Sequence, residues 1–335
     1  MDQHRPLIAV IRGGYTGESV ISMQSAATMM GGLDTRRFDA VYLTVGVDGM
    51  SCETPAEQPL PIDRGTFSVD RGNGPERIAA ALIAIHGSPG EDGILQGYLD
   101  LVGAPYQTGG VLNMAMTMSK YSTVALLRDL GFPVAPSIRL HASDLIGPHA
   151  LEGIGYPCFV KPDQSGSSLG VAKVKTPDEL HDALAAAFRE CTFALVERGV
   201  AGRELTCGVL ISKGQFTPLP VCEISTTREF FDYEAKYHAA DTRETIPADL
   251  PGEVTRLVQD RSAAIARALD CRGMVRVDHM WTGTELITIE VNTVPGFSPA
   301  SIYPKMLEAA GLGVSHAVNL MVDDMLDRTA RKCMS

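Results

Sequence analysis

The chain has 335 residues, 45% hydrophobic and 21% charged, an ordinary globular composition with length for two or three domains. Its net charge of −11 provides no basic face for displacing counterions from a nucleic acid. The longest purely apolar run, residues 78–85, is far short of the roughly 18 residues that a membrane span needs. Arg12 interrupts Leu7–Ile11, so the N-terminus reads as neither a signal peptide nor an anchor. Seven cysteines with no Cys-x-x-Cys spacing make poor material for a disulfide framework or a zinc site and point to a reducing, cytoplasmic setting.

The first third alternates strand and helix signals. Leu7–Ile11 is an apolar strand, and residues 18–30 form a helix closed by Gly31-Gly32. Ala40–Val45 and Ala79–Ile85 are further buried strands. The pattern predicts a parallel sheet with crossover helices. A helix-rich stretch follows over 111–130, broken by polar residues just before Lys120. Strands at 158–160 and 171–174 flank a glycine and serine loop, and Thr176-Pro177-Asp178-Glu179 reads as a capping box. A strand at 193–196 and hairpin strands at 205–211 and 216–224 come next, then an amphipathic helix carrying Val254, Leu257, Val258, Ile265 and Leu269. Composition shifts place boundaries near 117 and 204, giving segments 1–116, 117–204 and 205–335.

Three stretches carry chemistry. Residues 274–281 and 285–292 alternate in period two around Thr282-Gly283-Thr284. A tight hairpin there sets Arg276 opposite Glu290 and Asp278 opposite Thr288, with Asn292 on the same face. Two carboxylates and an amide suit Mg2+; a solvated hairpin face with a surface ion pair is the bland alternative. The loop "VKPDQSGSSLGVAKV" joins two strands and lacks the Gly-Lys-Ser/Thr of a P-loop. It reads either as a lid over phosphates beside Lys161 or as a surface turn. His86, leaving a buried strand in "IAIHGSPGEDG", is placed to meet a substrate carboxylate or to be satisfied by a backbone group.

Taken in order, "RGGYTGESVIS", "HGSPGEDGILQGYL", "TMSK", "FVKPDQSGSSLG", "LVERGVAGREL", "FFDYEAKY", "GMVRVDHMW" and "IEVNTVPGFSPASIYP" resemble the D-alanine–D-alanine ligases of the ATP-grasp superfamily across nearly the whole chain. The resemblance implies an ATP-grasp fold, α+β in its C-terminal part, behind a Rossmann-like α/β substrate domain. ATP would lie between the central domain and the C-terminal domain. Lys120, Lys161 and Lys236 would meet ATP phosphates under a lid containing Ser167 and Ser168. Glu197, Arg198 and Val200 would line the adenine pocket, and Glu204 would hold the ribose. Asp278, Glu290 and Asn292 would hold two Mg2+ ions, with Mn2+ as a substitute. Arg276 and the Gly296 amide would form an oxyanion site, while Ser301, Ile302 and His86 would border the substrates. Tyr237 and Ser167 would order the loop over the first substrate. Glu18 matches the first acid of the N-terminal motif; the second, implied to anchor a substrate ammonium, is replaced by Val20. The implied reaction joins two D-alanines through an acyl phosphate for peptidoglycan precursor synthesis, in a cytoplasmic homodimer. D-serine, D-lactate or another acceptor is the alternative.

Overall fold

The computed structural model describes residues 5–145, 151–164, 166, 169–226 and 242–332. Ser167, Ser168, Lys236 and Tyr237 lie outside them, so the roles expected of these four are not placed by the structure.

β1 (Leu7–Gly13) is buried at every position, as befits a strand covered on both faces. It pairs in parallel with β2 (Asp39–Gly46) and, on its other side, with β8 (Ala80–Ile83). The sheet is nevertheless mixed: β3 (Gly49–Glu53) and β4 (Pro59–Leu60) add antiparallel strands, giving the order β4-β3-β2-β1-β8. Val47-Asp48 is the whole β2–β3 connection, enough for a hairpin and too short for the crossover a parallel strand requires. β5 (Ile62–Asp63), β6 (Ser68–Asp70) and β7 (Pro75–Arg77) form a separate small sheet.

α1 (Ser19–Gly32) buries Ser22, Ser25, Ala26 and Met29. Gly31 and Gly32 are its last two residues and do not stop it beforehand. After α2 (Ile94–Leu101), the helical stretch divides into α3 (Val111–Met118) and α4 (Lys120–Asp129). Ser119 is extended, and its Oγ accepts the Ser122 N–H at 3.1 Å, capping α4.

The second sheet runs β11 (Ala172–Val174), β10 (Cys158–Pro162), β12 (Phe193–Arg198), β9 (Ser137–His141). α5 (Leu180–Glu190) covers it through Ala183, Leu184 and Ala187. The expected capping box is not made. Residues 177–179 form a 3-10 turn, Thr176 makes no side-chain cap, and Glu179 takes the Lys175 N–H at 2.6 Å.

The third sheet, β16 (Thr242–Thr245), β15 (Cys222–Thr226), β13 (Arg203–Ser212), β17 (Gly273–Trp281), β18 (Leu286–Asn292), carries β14 (Gln215–Pro218) beside β13. The single strand expected over 216–224 is thus two. Register against β13 slips by one residue between Val209↔Pro218 and Thr206↔Cys222, where Pro220 has no N–H for the ladder. α6 (Gly252–Ala268) packs on this sheet. α7 (Ile302–Ala309) and α8 (Val314–Lys332) end the chain.

α8 returns to the first sheet. Val318, Met321, Val322 and Met325 share one core with Ile8, Val10 and Met29, and with Leu210, Tyr303 and Met306 of the C-terminal part. Each such buried side chain contributes on the order of 1.5–3 kcal/mol, so the two ends of the chain hold the first and third sheets together. Gly32 permits the close approach, since a Cβ there would lie 3.1 Å from Val318 Cγ2.

Candidate active site

A cavity of about 1100 Å3 opens between the three sheets. Its floor is the β17–β18 hairpin, where one finding departs from the sequence reading. The turn spans 282–285, closed by the Thr282 N–H to the Glu285 carbonyl at 3.0 Å, and His279 pairs with Thr288. Ile289 is then an extra residue on β18, so Asp278 faces Glu290 and Arg276 faces Asn292. The bulge restores to one face the four residues that a regular ladder from this turn would have split.

Arg276 donates through Nε and Nη2 to the two oxygens of Asp278, both at 2.8 Å. Thr206 Oγ1, buried on β13, donates to Asp278 Oδ1. Asn292 Nδ2 lies 3.0 Å from Asp278 Oδ2 and 3.3 Å from Glu290 Oε1. The Asn292 amide nitrogen is directed at both carboxylates, and turning the amide over would present its oxygen to them instead. Burial, reinforced by Asp278 and Glu290, pushes Glu204 up to about 7. The donor set and this crowding of negative charge fit a hard divalent cation completed by phosphate and water oxygens. Among the described residues no group of three or more His, Cys, Asp or Glu side chains is arranged for a metal, so any ion relies on Asn292 and on its ligand.

Lys120 and Lys161 line the same cavity. Burial depresses the Lys120 pKa, with Glu290 acting in the opposite direction. Burial also works to lower Lys161, but its ion pair with Glu197 and the fields of Glu290 and Glu204 outweigh this and hold it above the ordinary value. The sequence reading missed Asp163. Its fully buried carboxylate takes the Ser119 hydroxyl at 3.1 and 3.0 Å, the Tyr121 N–H at 2.8 Å and Arg139 at 3.0 Å. It thereby pins the start of α4, and Lys120 with it, to the end of β10. Its place in "VKPDQSG" was visible; its partners, distant in sequence, were not.

The N-terminal part supplies the remaining wall. Glu18 lies beside the serine loop: a Cβ on Gly166 would stand 2.5 Å from its Oε2. Val20 is 63% exposed, whereas Glu18, Ile21 and Gln24 border the cavity; the helix turns position 20 away from it. His86 also borders the cavity, and both ring nitrogens meet protein, Nδ1 at 2.8 Å from the Val294 carbonyl and Nε2 at 3.1 Å from Ser25 Oγ. Ser301 precedes α7, its Oγ 2.8 Å from Ser298 Oγ. Gly296, Ser301 and Ile302 line the cavity, as do Glu197, Arg198, Val200 and Glu204. Arg198 directs its guanidinium outward to the Ile154 and Gly153 carbonyls at 2.9 and 2.7 Å.

A family model described as the D-ala D-ala ligase N-terminus matches residues 7–109, and one described as the D-ala D-ala ligase C-terminus matches residues 126–323. The chain belongs to the D-alanine–D-alanine ligase family. It is 38% identical to the D-alanine–D-alanine ligase of Porphyromonas gingivalis over 97% of this chain and 99% of that one. Among solved structures it resembles the D-alanine-D-alanine ligase from Coxiella burnetii, at a TM-score of 0.87 and 28% identity, covering 99% and 97% of the two chains. It also resembles the VanG D-Ala:D-Ser ligase from Enterococcus faecalis, at 0.83 and 30%, covering 96% and 99%. These likenesses carry the ATP-grasp fold.

Proposed function

We propose that this D-alanine–D-alanine ligase family member joins two D-alanines at the expense of ATP, supplying the dipeptide for peptidoglycan precursors. One observation carries the reading. Lys120 and Lys161 share a cavity with the Asp278–Glu290–Asn292 face, and Glu290 bears electrostatically on both lysines.

ATP gives its γ-phosphoryl group to a carboxylate oxygen of the first D-alanine, leaving ADP and an acyl phosphate. The amine of the second D-alanine attacks that carbonyl, a C–N bond forms, the amine loses a proton and inorganic phosphate leaves. Lys120, Lys161 and Lys236 bind the phosphates, and Ser167 and Ser168 fold over them. Glu197, Arg198 and Val200 border the base, and Glu204 takes the ribose hydroxyls. Asp278, Glu290 and Asn292 would hold Mg2+, with Mn2+ as a substitute, and the bound metal would supply neutralisation of phosphate charge. Arg276 and the Gly296 N–H stabilise the tetrahedral oxyanion. Glu18 is the acid assigned to the first substrate's ammonium, and Tyr237 with Ser167 is assigned to ordering the loop over that substrate. Ser301 is assigned to the second substrate's carboxylate, and Ile302 and His86 border the substrates.

A cytoplasmic homodimer completes the reading. α3 carries no charged residue, and its Val111 and Leu112 are exposed at 41% and 79%, a face suited to a second copy.

The second reading keeps the reaction and changes the acceptor to D-serine or D-lactate; it is supported by the likeness to the VanG ligase. Acceptor competition tests the choice. D-alanine should outcompete both, and Tyr237→Phe should shift preference toward D-lactate. Dominant use of D-serine or D-lactate by the unaltered protein would replace the first reading.

A further inference from the structure

The loop carrying Gly296 is held from the far end of the chain. The Phe297 N–H donates to Ser25 Oγ at 3.0 Å, although the two residues are 272 positions apart. The Val294 N–H donates to Glu91 Oε1 at 3.0 Å, and the other oxygen of Glu91 takes the Gly87 N–H at 2.7 Å. The Val294 carbonyl, which can only accept, receives His86 Nδ1–H at 2.8 Å. That leaves His86 Nε2 as an acceptor, so Ser25 Oγ–H donates to it at 3.1 Å and the Ser25 oxygen retains lone pairs for Phe297. Every donor and acceptor in this chain is used in its proper direction, and Ser25 is fully buried.

Pro295 has no N–H. With the Val294 and Phe297 amides engaged, the Gly296 N–H lies between two fixed peptides, and among the described residues it meets no acceptor. We infer that Ser25, His86 and Glu91 are positioning residues: a clamp from the N-terminal α/β unit that sets where the Gly296 N–H points. The inference rests on the reading of Gly296 as an oxyanion donor. A donor acts only where the oxyanion will form, and a misplacement of about 1 Å costs about 10²-fold in rate. The clamp therefore makes the tetrahedral step depend on a unit that supplies neither metal ligands nor ATP lysines.

The test uses the full-length protein with Ser25→Ala, Glu91→Ala and Glu91→Gln. Amide hydrogen exchange is followed across 290–298, alongside kcat/KM, ATP affinity and binding of a tetrahedral phosphinate analogue of the dipeptide. The clamp predicts faster exchange at Val294 or Phe297 with the rest of β17–β18 unchanged. It also predicts a drop of about 10²-fold in kcat/KM, matched by weaker analogue binding at unaltered ATP affinity. Glu91→Gln, which keeps one acceptor oxygen, should recover part of the loss. Unchanged exchange at both amides overturns the clamp, as does exchange that rises across the whole molecule together. If the unaltered protein turned over no D-alanine, the functional reading would fail while the exchange measurement still decided the clamp.

Discussion

Asp278 and Glu290 face each other across the β17–β18 ladder because Ile289 is an extra residue on one side of it. Without that bulge, the turn's register would send Glu290 and Asn292 to the opposite face from Asp278. Glu290→Ala should abolish turnover and weaken the Mg2+ dependence of ATP binding, measured by titration calorimetry with and without the ion. Near-normal turnover at ordinary Mg2+ would remove Glu290 from the site.

Asp163 joins β10 to the start of α4 through Ser119 and Tyr121, and to β9 through Arg139. Hydrogen bonds to a buried charged group contribute about 1.5–3 kcal/mol, and Lys120 depends on them for its position. Asp163→Ala should therefore destabilise the protein by about 2–3 kcal/mol and raise the KM for ATP more than that for D-alanine. Denaturant unfolding and steady-state kinetics check both; equal rises in the two KM values would separate Asp163 from the phosphate site.

His279 lies buried on the far side of the hairpin, with Nε2 2.9 Å from Ser262 Oγ and Nδ1 3.3 Å from Thr288 Oγ1. Burial, aided by Arg261, lowers its pKa from 6.5 to about 3. Between those values the unfolded chain binds a proton that the folded chain refuses. Stability contributed by the neutral ring is present above pH 6.5 and is lost as pH falls, at up to about 1.4 kcal/mol per pH unit. His279→Gln should flatten this part of the stability curve between pH 7 and 5. Parallel curves for the two proteins would show that another group is responsible.

A Cβ on Gly208 would lie 2.9 Å from both Leu219 Cδ1 and Tyr303 Cε2, and 3.2 Å from Met306 Sδ. Tyr303 and Met306 are on α7, directly after Ser301. Gly208→Ala should cost about 1–3 kcal/mol through overpacking and shift α7, lowering acceptor affinity before ATP affinity. A variant as stable as the parent, with an unaltered acceptor KM, would show that the site does not feel α7.

The strands around the cavity were legible because their apolar periodicity is local, and the meeting of many candidate residues at one cavity because they lie in short ordered motifs. Arg276, Asp278, Glu290 and Asn292 were assigned to one face correctly but in the wrong register. The one-residue bulge at Ile289 shifts the parity of β18, so Thr288 and Glu290 lie on opposite faces although alternation alone puts them on the same one. Asp163, Thr206, Ser25 and Glu91 were missed because their partners lie tens to hundreds of positions away. The return of α8 to the first sheet was equally hidden: Val318 and Met321 look like any amphipathic helix until Gly32 shows what they approach.

The most direct test of the account is phosphate release from ATP and Mg2+ with D-alanine, set against other D- and L-amino acids and D-lactate, with mass analysis of the product. The account predicts D-alanine-dependent release with D-alanyl-D-alanine formed in step. Release with a different pair and none with D-alanine would contradict the substrate, and no release with any pair would contradict catalysis itself.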